Sequence, residues 1–302
     1  MIDGKPIDLH VTRRLAYIMY AIADHCSLNF TQKARDFFMN MVAKKSFILD
    51  PSWGLTPPPR TLTHQPLIND ELYDKLKSGH VIPVSTLERF SGPESVILAN
   101  NEELQIDTVI FCTGYDRNLS LVRGLDLVAG TPVAKGFKGK RLGRLYQNMF
   151  PPKYADSLVY LNNMIYDVPV LFQADLASMA VAQIWKGSYL LPSEKEMSNA
   201  IDKHHQWVCE LGKHDTVYTE IIEEGPWNRW ANEAAGTGVN ENLGYGIAGW
   251  KFWLKEPKVC SILMDGVDST AVYRLFDGRR KKWAGARDAI LEANAQVTKL
   301  YG

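Results

Sequence analysis

The stretch that decides the fold is Leu104-Gln-Ile-Asp-Thr-Val-Ile-Phe-Cys-Thr-Gly-Tyr115. Val109, Ile110 and Phe111 are apolar at consecutive positions, so a strand here would be covered on both faces. Gly114 provides a sterically open bend directly after this run. The stretch therefore predicts a central strand of an α/β layer that ends in a turn.

Local patterns predict the elements on either side of this strand. Upstream they predict helices over 11–26 and 31–44, an extended connector at Pro57-Pro58-Pro59, a short helix from Asn69 to Gly79, and strands over 81–84 and 95–99. Downstream they predict an irregular excursion over 116–150, and helices over 174–186, 193–211, 226–235, 245–255 and 284–300. The C-terminal region is therefore expected to be largely helical.

Composition excludes several classes of function. The chain has 302 residues, 46% of them hydrophobic, and its 34 basic residues balance 34 acidic ones. A balanced charge gives no global field for nucleic acid or an anionic membrane, although a local patch is compatible with it. No apolar run reaches the ~18 to 20 residues of a membrane span. Four widely spaced cysteines without a Cys-x-x-Cys pair favour packed thiols in a cytoplasmic protein.

Five pieces of the chain, in order, resemble flavin-containing monooxygenases. They are the segment Pro66 to Leu98, the Asp107 to Tyr115 run, Leu145-Tyr-Gln-Asn-Met-Phe-Pro151, Trp253-Leu-Lys-Glu-Pro257, and the segment Tyr273 to Ile290. Family members hold FAD and NADPH on Gly-x-Gly-x-x-Gly turns that join a strand to a helix. No such strand-to-helix turn is recognised in this sequence. The resemblance thus implies an α/β fold with an incomplete two-dinucleotide-binding flavoprotein layer.

The resemblance also implies domains and a cofactor site. Residues 1–103 correspond to the NADPH-domain side, and residues 104–302 to the FAD domain with a helical C-terminal region. Thr113, Gly114 and Tyr115 would line the phosphate-ribitol part of FAD, although a glycine that only turns the chain explains the motif equally well. The helix start at Phe172, Gln173 and Ala174 would face the flavin with its amides, with simple capping as the alternative. Asn162 and Asn163 would contact substrate.

Three functions remain open from the sequence. The first is oxygen transfer from O2 to a small hydrophobic substrate with FAD and NADPH, in which the N-terminal half either comes from a partner polypeptide or is missing from this sequence. The second is a cofactor-free cyclase or isomerase that uses Asp116 and Asp175 as general acid/base groups, with Asp175 in the first turn of its helix. The third is a non-catalytic binding or scaffold protein. A homodimer or a heteromer is expected in each case, because an α/β layer without its opening strands exposes a sheet edge.

Other candidate groups are weaker. Arg13 and Arg14 have the chemistry to bind a nucleotide phosphate, although two solvated arginines at a helix start explain them better. Adjacent residues His204 and His205 point about 100° apart on a helix and cannot readily share a metal ion. The tryptophans of the C-terminal third are expected mainly to pack helices, with an apolar pocket as the alternative. The sequence predicts no metal site.

Overall fold

The computed structural model describes residues 7–46, 49–55, 60, 63–64, 69, 71–113, 119–131, 133, 135–137, 140–161, 163–165, 170–213 and 215–301. Its α-helices are α1 Arg13–His25, α2 Leu28–Ser46, α3 Leu72–Lys77, α4 Val170–Trp185, α5 Glu194–Gly212, α6 Glu224–Ala235, α7 Val239–Asn242, α8 Ile247–Lys255, α9 Pro257–Asp265 and α10 Ala286–Tyr301. Its strands are β1 Leu87–Gly92, β2 Ser95–Leu98 and β3 Glu103–Gln105. Helices dominate, and the large helical C-terminal region is as predicted.

The main core lies between α4 and α6. Leu176, Ala177 and Ala180 of α4 and Ala231 and Ala234 of α6 have no exposed surface. Small side chains on both helices let the backbones approach closely, and Leu176 fills the remaining space. Helices α9 and α10 and the 3₁₀ helix Thr270–Arg274 add residues to the same cluster. This packing fixes the start of α4, where the candidate site lies.

A second, smaller core lies under α5. Phe137 and Leu142 from the irregular excursion pack against Val208 and Leu211 of the helix. The predicted capping box is present, since Ser193 accepts from the amide of Glu196 while the Glu196 carboxylate accepts from the amide of Ser193. This start signal places α5 correctly from the sequence.

Helices α1 and α2 join the body differently. Helix α1 contacts α6 and α9, and its residue Tyr20 lies directly against Gly225 of α6. Helix α2 forms as predicted, but Phe37 is 73% exposed and Met41 is 41% exposed. The prediction of a helix is therefore confirmed, and part of its apolar face is exposed in the described chain.

The sheet is antiparallel, in the order β1-β2-β3. Ser95 pairs with Gln105 and Gly92, and Val96 pairs with Leu104 and Phe90. Val96 and Leu98 are buried on one face. The prediction of a strand over 95–99 is confirmed, whereas residues 81–84 form no strand and the first strand begins at Leu87.

The prediction of a central strand over residues 109–111 is wrong. These residues form no strand, and Ile110 and Phe111 are 81% and 67% exposed. A strand needs a neighbour for its backbone groups, and no described segment pairs with residues 107–113. The sheet of the described chain is small and antiparallel, so the two-dinucleotide-binding layer and the 1–103 and 104–302 division stay predictions. The connector at Pro57-Pro58-Pro59 lies outside the described residues.

Candidate functional site

The candidate site is the start of α4, where the resemblance places flavin-facing amides. The helix begins at Val170, four residues before the predicted start, so Asp175 lies in the second turn and not in the first. The amides of the first three helical residues have no partner within the helix, and Phe172 is the third of them. Gln173, as the fourth helical residue, is where the helical hydrogen bonds begin. The amide of Ala174 instead bonds within the helix. The prediction that Asp175 lies in the first turn of its helix is therefore wrong.

The side chain of Gln173 is the least satisfied group at this helix start. Gln173 is 2% exposed, and its Oε1 is buried without a hydrogen-bond partner in the described part of the chain. A buried acceptor without a donor costs about 1 to 3 kcal/mol. Buried polar atoms normally have a hydrogen-bond partner, so this oxygen indicates a donor outside the described residues.

Asp175 is held by an arginine. Its Oδ1 accepts from Nη2 of Arg274 at 2.6 Å, and its Oδ2 accepts from Nη1 at 2.6 Å. This paired geometry raises the pKa of the Arg274 guanidinium. Arg280 lies nearby, and its pKa is lowered by burial and then by the charge of Arg274. Asp175 thus neutralises a positive cluster, and both of its oxygens are engaged.

A strained turn precedes α4. Gln147 and Asn148 both have positive φ, 54° and 56°, a conformation that L side chains rarely adopt. The turn is fixed from outside: Nε1 of Trp227 donates to the Gln147 carbonyl at 3.3 Å, and Nδ2 of Asn148 donates to the Glu220 carbonyl at 3.1 Å. Nδ2 of Asn163 donates to the Asn148 carbonyl at 3.2 Å. The side chain of Asn163 therefore already has a structural partner.

The remaining predicted site residues divide into two groups. Thr113 is exposed at the end of the unpaired 107–113 segment. Gly114, Tyr115, Asp116 and Asn162 lie outside the described residues. Within the described chain, the structure brings together Phe172, Gln173, Ala174 and Asp175 on α4, and it does not bring Thr113 into a hydrogen bond with them. The roles assigned to all of these residues stay predictions.

Comparison with known proteins now decides the family. The family described as FMO-like, flavin-binding monooxygenase-like, matches residues 1–301. The chain belongs to the flavin-binding monooxygenase-like family. This confirms the resemblance that five short pieces of sequence had indicated.

Individual relatives agree with the family assignment. Monooxygenase aurF of Gibberella zeae is 34% identical over 100% of this chain and 58% of its own length. Flavin-containing monooxygenase 5 of Mus musculus is 26% identical over 98% of this chain and 50% of its own length. The structure of S-allyl-L-cysteine S-oxygenase from Allium sativum has a TM-score of 0.37 and 19% identity, and covers 68% of this chain and 43% of that chain. The chain spans about half the length of the curated relatives it matches.

The family implies FAD and NADPH, and the described residues fit only part of such a ligand. The spacing Gly-x-Gly-x-x-Gly does occur once, at Gly244, Gly246 and Gly249, which sequence reasoning missed. It joins helix α7 to helix α8 and not a strand to a helix, and Gly249 packs against the Gly244 carbonyl. Its glycines serve helix packing, so this turn does not fit the ADP half of FAD.

The other candidate groups are occupied. Arg14 pairs with Asp265 at 2.5 and 2.7 Å, and Arg13 pairs with Asp268. Neither arginine is therefore free for a nucleotide phosphate. The described residues contain no cluster of metal-ligating side chains. All four cysteines are free, but Cys26 and Cys112 are exposed, so the expected packing holds only for the other two.

Two further findings concern the surface. Within the described residues, no helix is both long and apolar enough to cross a membrane. Trp227 is buried as expected for helix packing, whereas Trp250, Trp253 and Trp283 are about half exposed, at 55%, 46% and 51%. No sequence signal separated these two kinds of tryptophan.

Proposed function

We propose that this chain is the C-terminal half of an FAD- and NADPH-dependent monooxygenase that oxidises a small hydrophobic substrate, and that a separate segment binds the ADP half of FAD. The observation that carries the proposal is the run Val109 to Phe111 shortly before Thr113, which pairs with no described strand and in which Ile110 and Phe111 are exposed. Water-exposed apolar side chains on both sides of an extended segment are costly, and pairing with neighbouring strands relieves that cost. A nucleotide-binding sheet from elsewhere provides such neighbours.

The start of α4 supports the same proposal. The helix N-terminus, with the amide of Phe172 lacking a partner within the helix, favours a group with partial negative charge, which a flavin's pyrimidine edge provides when the cofactor is bound. The buried Oε1 of Gln173 lacks a donor among the described residues, and that edge also carries an N–H group. Thr113, Gly114 and Tyr115 would line the phosphate-ribitol part, and Asn162 and Asn163 would contact the substrate.

Asp175 has a different role in this proposal from the one expected of a general base. Its two hydrogen bonds to Arg274 fix the first turns of α4 to the 3₁₀ helix Thr270–Arg274. A base must have an oxygen available for the proton it accepts. The cofactor-free cyclase or isomerase, which needs Asp116 and Asp175 as acid/base groups, is therefore less supported. A scaffold role has no specific observation in its favour.

Reconstitution tests the proposal. The purified chain is expected to retain no flavin after gel filtration and to oxidise no NADPH. Co-expression with the portion of monooxygenase aurF that this chain does not match is expected to yield a complex with visible flavin absorbance. Stoichiometric FAD on the chain alone, or a flavin-free complex, would contradict the proposal.

A matched pair of variants tests the α4 start within that complex. Gln173→Leu removes the orphaned acceptor and is expected to weaken flavin retention. Gln183→Leu removes another buried, unpartnered amide oxygen farther along the same helix. It is expected to leave flavin retention unchanged, because it lies about 15 Å from Gln173 along the helix axis. Equal losses of flavin retention from the two variants would show that a general disturbance of the helix, and not the loss of the Gln173 acceptor, weakens flavin binding.

A further inference from the structure

A basic loop, residues 277–283, folds back on the 3₁₀ helix Thr270–Arg274. The amide of Trp283 donates to the Arg274 carbonyl at 2.8 Å, and the amide of Gly278 donates to the Arg280 carbonyl at 3.2 Å. A Cβ at Gly278 would collide with the carbonyl of Gly236, the residue that ends α6, so the loop packs closely there. These contacts fix the position of Arg280 in the middle of the loop.

The guanidinium of Arg280 has more donors than acceptors around it. Its Nη1 donates to the Lys281 carbonyl at 3.2 Å and its Nη2 donates to the Tyr273 carbonyl, and both acceptors are uncharged. Its Nε is buried and has no partner within the described residues. Since a guanidinium has five N–H groups, more than half of them lack an acceptor in the described chain.

The charge of Arg280 is also unpaired in this part of the molecule. The neighbouring Arg274 uses its Nη1 and Nη2 on the two oxygens of Asp175, at 2.6 Å each. The carboxylate of the loop itself, Asp277, pairs with Lys282 at 3.3 Å. Within the described residues Arg280 forms no ion pair. Two guanidinium groups therefore share one carboxylate, which leaves one positive charge without a counter-ion.

The surroundings of Arg280 make this missing counter-ion costly. Burial, and then the charge of Arg274, lower the pKa of Arg280, and the charge of Asp175 opposes them only in part. A half-buried cation beside another cation gains more from an anion than a fully solvated cation does. Asp175 belongs to the second turn of α4, so the cluster of Arg274, Arg280 and Asp175 lies next to the candidate site.

We propose that Arg280 binds a carboxylate of the substrate, so that the substrate is a small apolar acid. The proposal rests on the proposed function and adds one charged group to the hydrophobic substrate named there. A carboxylate accepts paired hydrogen bonds from a guanidinium, and its single negative charge equals the charge that the cluster leaves unpaired. A phosphate monoester carries about −1.5 to −2 charges at pH 7, more than the cluster requires.

Thermal unfolding of the full chain with model acids tests the proposal without flavin. Benzoate, phenylacetate and octanoate each join an apolar group to a carboxylate. At least one of them is expected to raise the Tm by an amount that grows with its concentration, as binding to the folded state requires. Sodium chloride at the same ionic strength and the uncharged benzamide are expected to raise it less. No response to any of the three acids, or an equal response to chloride, overturns the proposal.

Two further results separate this proposal from its alternatives. Stabilisation by inorganic phosphate without stabilisation by any of the acids would assign Arg280 to a nucleotide phosphate and overturn the carboxylate assignment. The acid measurement uses the chain alone, so a failure to reconstitute a flavin complex contradicts the proposed function and leaves the response to acids readable. The two failures are therefore distinguishable.

Adjacent arginines provide a matched pair of variants. Arg280→Gln is expected to weaken acid binding about tenfold or more, because hydrogen bonds between charged groups are the stronger kind. Arg279 lies with its guanidinium carbon 5.0 Å from the ring centre of Tyr189 and donates to the Glu233 carbonyl. Arg279→Gln removes the same charge from the same loop and is expected to bind acids as the unmodified chain does. Equal losses from the two variants overturn the proposal.

A third variant keeps Arg280 and its bond to the Tyr273 carbonyl intact. Asp175→Asn removes the carboxylate that the two guanidinium groups share, so the cluster carries two unpaired positive charges. It is expected to tighten acid binding about threefold or more, because the negative charge that competes with the ligand is gone. A purely structural role of Arg280 predicts no such gain. Acid binding that is unchanged or weaker in Asp175→Asn, with helix content by circular dichroism unchanged, overturns the proposal.

Discussion

The helical body, residues 140–301, and the sheet region, residues 71–113, use similar apolar side chains with opposite results. The helical body encloses its own core around α4 and α6. In the sheet region only Leu76, Val96 and Leu98 are buried. Large side chains such as Ile82, Phe90 and Ile110 are exposed at 74%, 55% and 81%.

The two regions differ in whether other elements of the described chain cover their apolar side chains. The helices of the body pack against one another, so they enclose a core within the described chain. The strands contact chiefly one another, and three short strands with one partly covered face are at the lower limit of independent stability. The helical body is therefore expected to determine the stability of the chain. The sheet region is expected to be marginally stable until another surface covers its exposed apolar side chains.

The largest expected effect is in the α4 core. Leu176→Ala is expected to lower the free energy of unfolding by about 2 to 5 kcal/mol, because it leaves a cavity where Leu176 has no exposed surface. Leu171→Ala makes the same change on the same helix at a position that is 74% exposed. Its effect is expected to stay within about 0.5 kcal/mol. Urea unfolding that finds similar losses for both would break the comparison.

The second prediction concerns pH and the small core under α5. Burial, and then the charge of His205, lower the pKa of His204 from 6.5 to about 4. Between pH 6.5 and 4 the unfolded chain binds a proton at His204 that the folded chain does not bind. The contribution of neutral His204 to the free energy of unfolding is therefore complete above pH 6.5 and is lost as pH falls toward 4. The shift corresponds to a loss of about 3 kcal/mol.

Unfolding measured across this pH range checks the histidine prediction. His204→Gln is expected to remove most of the loss on acidification. His80→Gln makes the same change at an exposed position of the sheet region and is expected to keep it. If the His204→Gln chain loses as much free energy of unfolding on acidification as the unmodified chain, other groups cause the pH dependence between pH 6.5 and 4.

The third prediction concerns the Asp175 and Arg274 pair. The two side chains are only 26% and 32% exposed, and their hydrogen bonds are paired. A double-mutant cycle with Asp175→Asn and Arg274→Ala is expected to give a coupling of about 1 to 2 kcal/mol, between values typical of surface and buried pairs. The exposed pair of Asp277 and Lys282 is expected to give below about 0.5 kcal/mol. Equal coupling energies would contradict the positioning role of Arg274.

Sequence patterns predicted the elements whose signals are local. The capping box at Ser193 and the helical spacing of α1 identified helix starts to within two residues, whereas α3 begins at Leu72, three residues after Asn69, whose Oδ1 accepts from the Leu72 amide. The apolar run at residues 109–111 misled, because an apolar pattern predicts burial only when a neighbour covers it, and local sequence does not contain the neighbour. Helix α9 was missed although Pro257 stands at its first position, where proline is favoured.

The candidate site was harder to predict than the helices. Asp175 was identified as a charged residue on α4, but its partner Arg274 is 99 residues away and follows from the packing of the 3₁₀ helix Thr270–Arg274. The start of α4 was placed four residues late because Val170 and Leu171 are apolar and exposed, so they carry no signal of a helix start. The buried, donor-free oxygen of Gln173 depends on the packing around it, and no spacing rule reveals it.

The smallest predicted effect compares two helix caps. Ser193→Ala removes the capping box of α5, which is anchored by buried residues along its length, and is expected to lower the free energy of unfolding by about 1 kcal/mol.

Asn69→Ala makes a comparable change at the start of α3. It removes Oδ1 of Asn69, which accepts from the amides of Glu71 and Leu72 at 2.9 and 2.7 Å. Helix α3 has six residues and one buried side chain, so it can unravel while the helical body stays folded. Asn69→Ala is therefore expected to speed hydrogen exchange within α3 and leave global unfolding unchanged within about 0.5 kcal/mol. Equal global losses from the two variants would mean that the sheet region folds as one unit with the helical body.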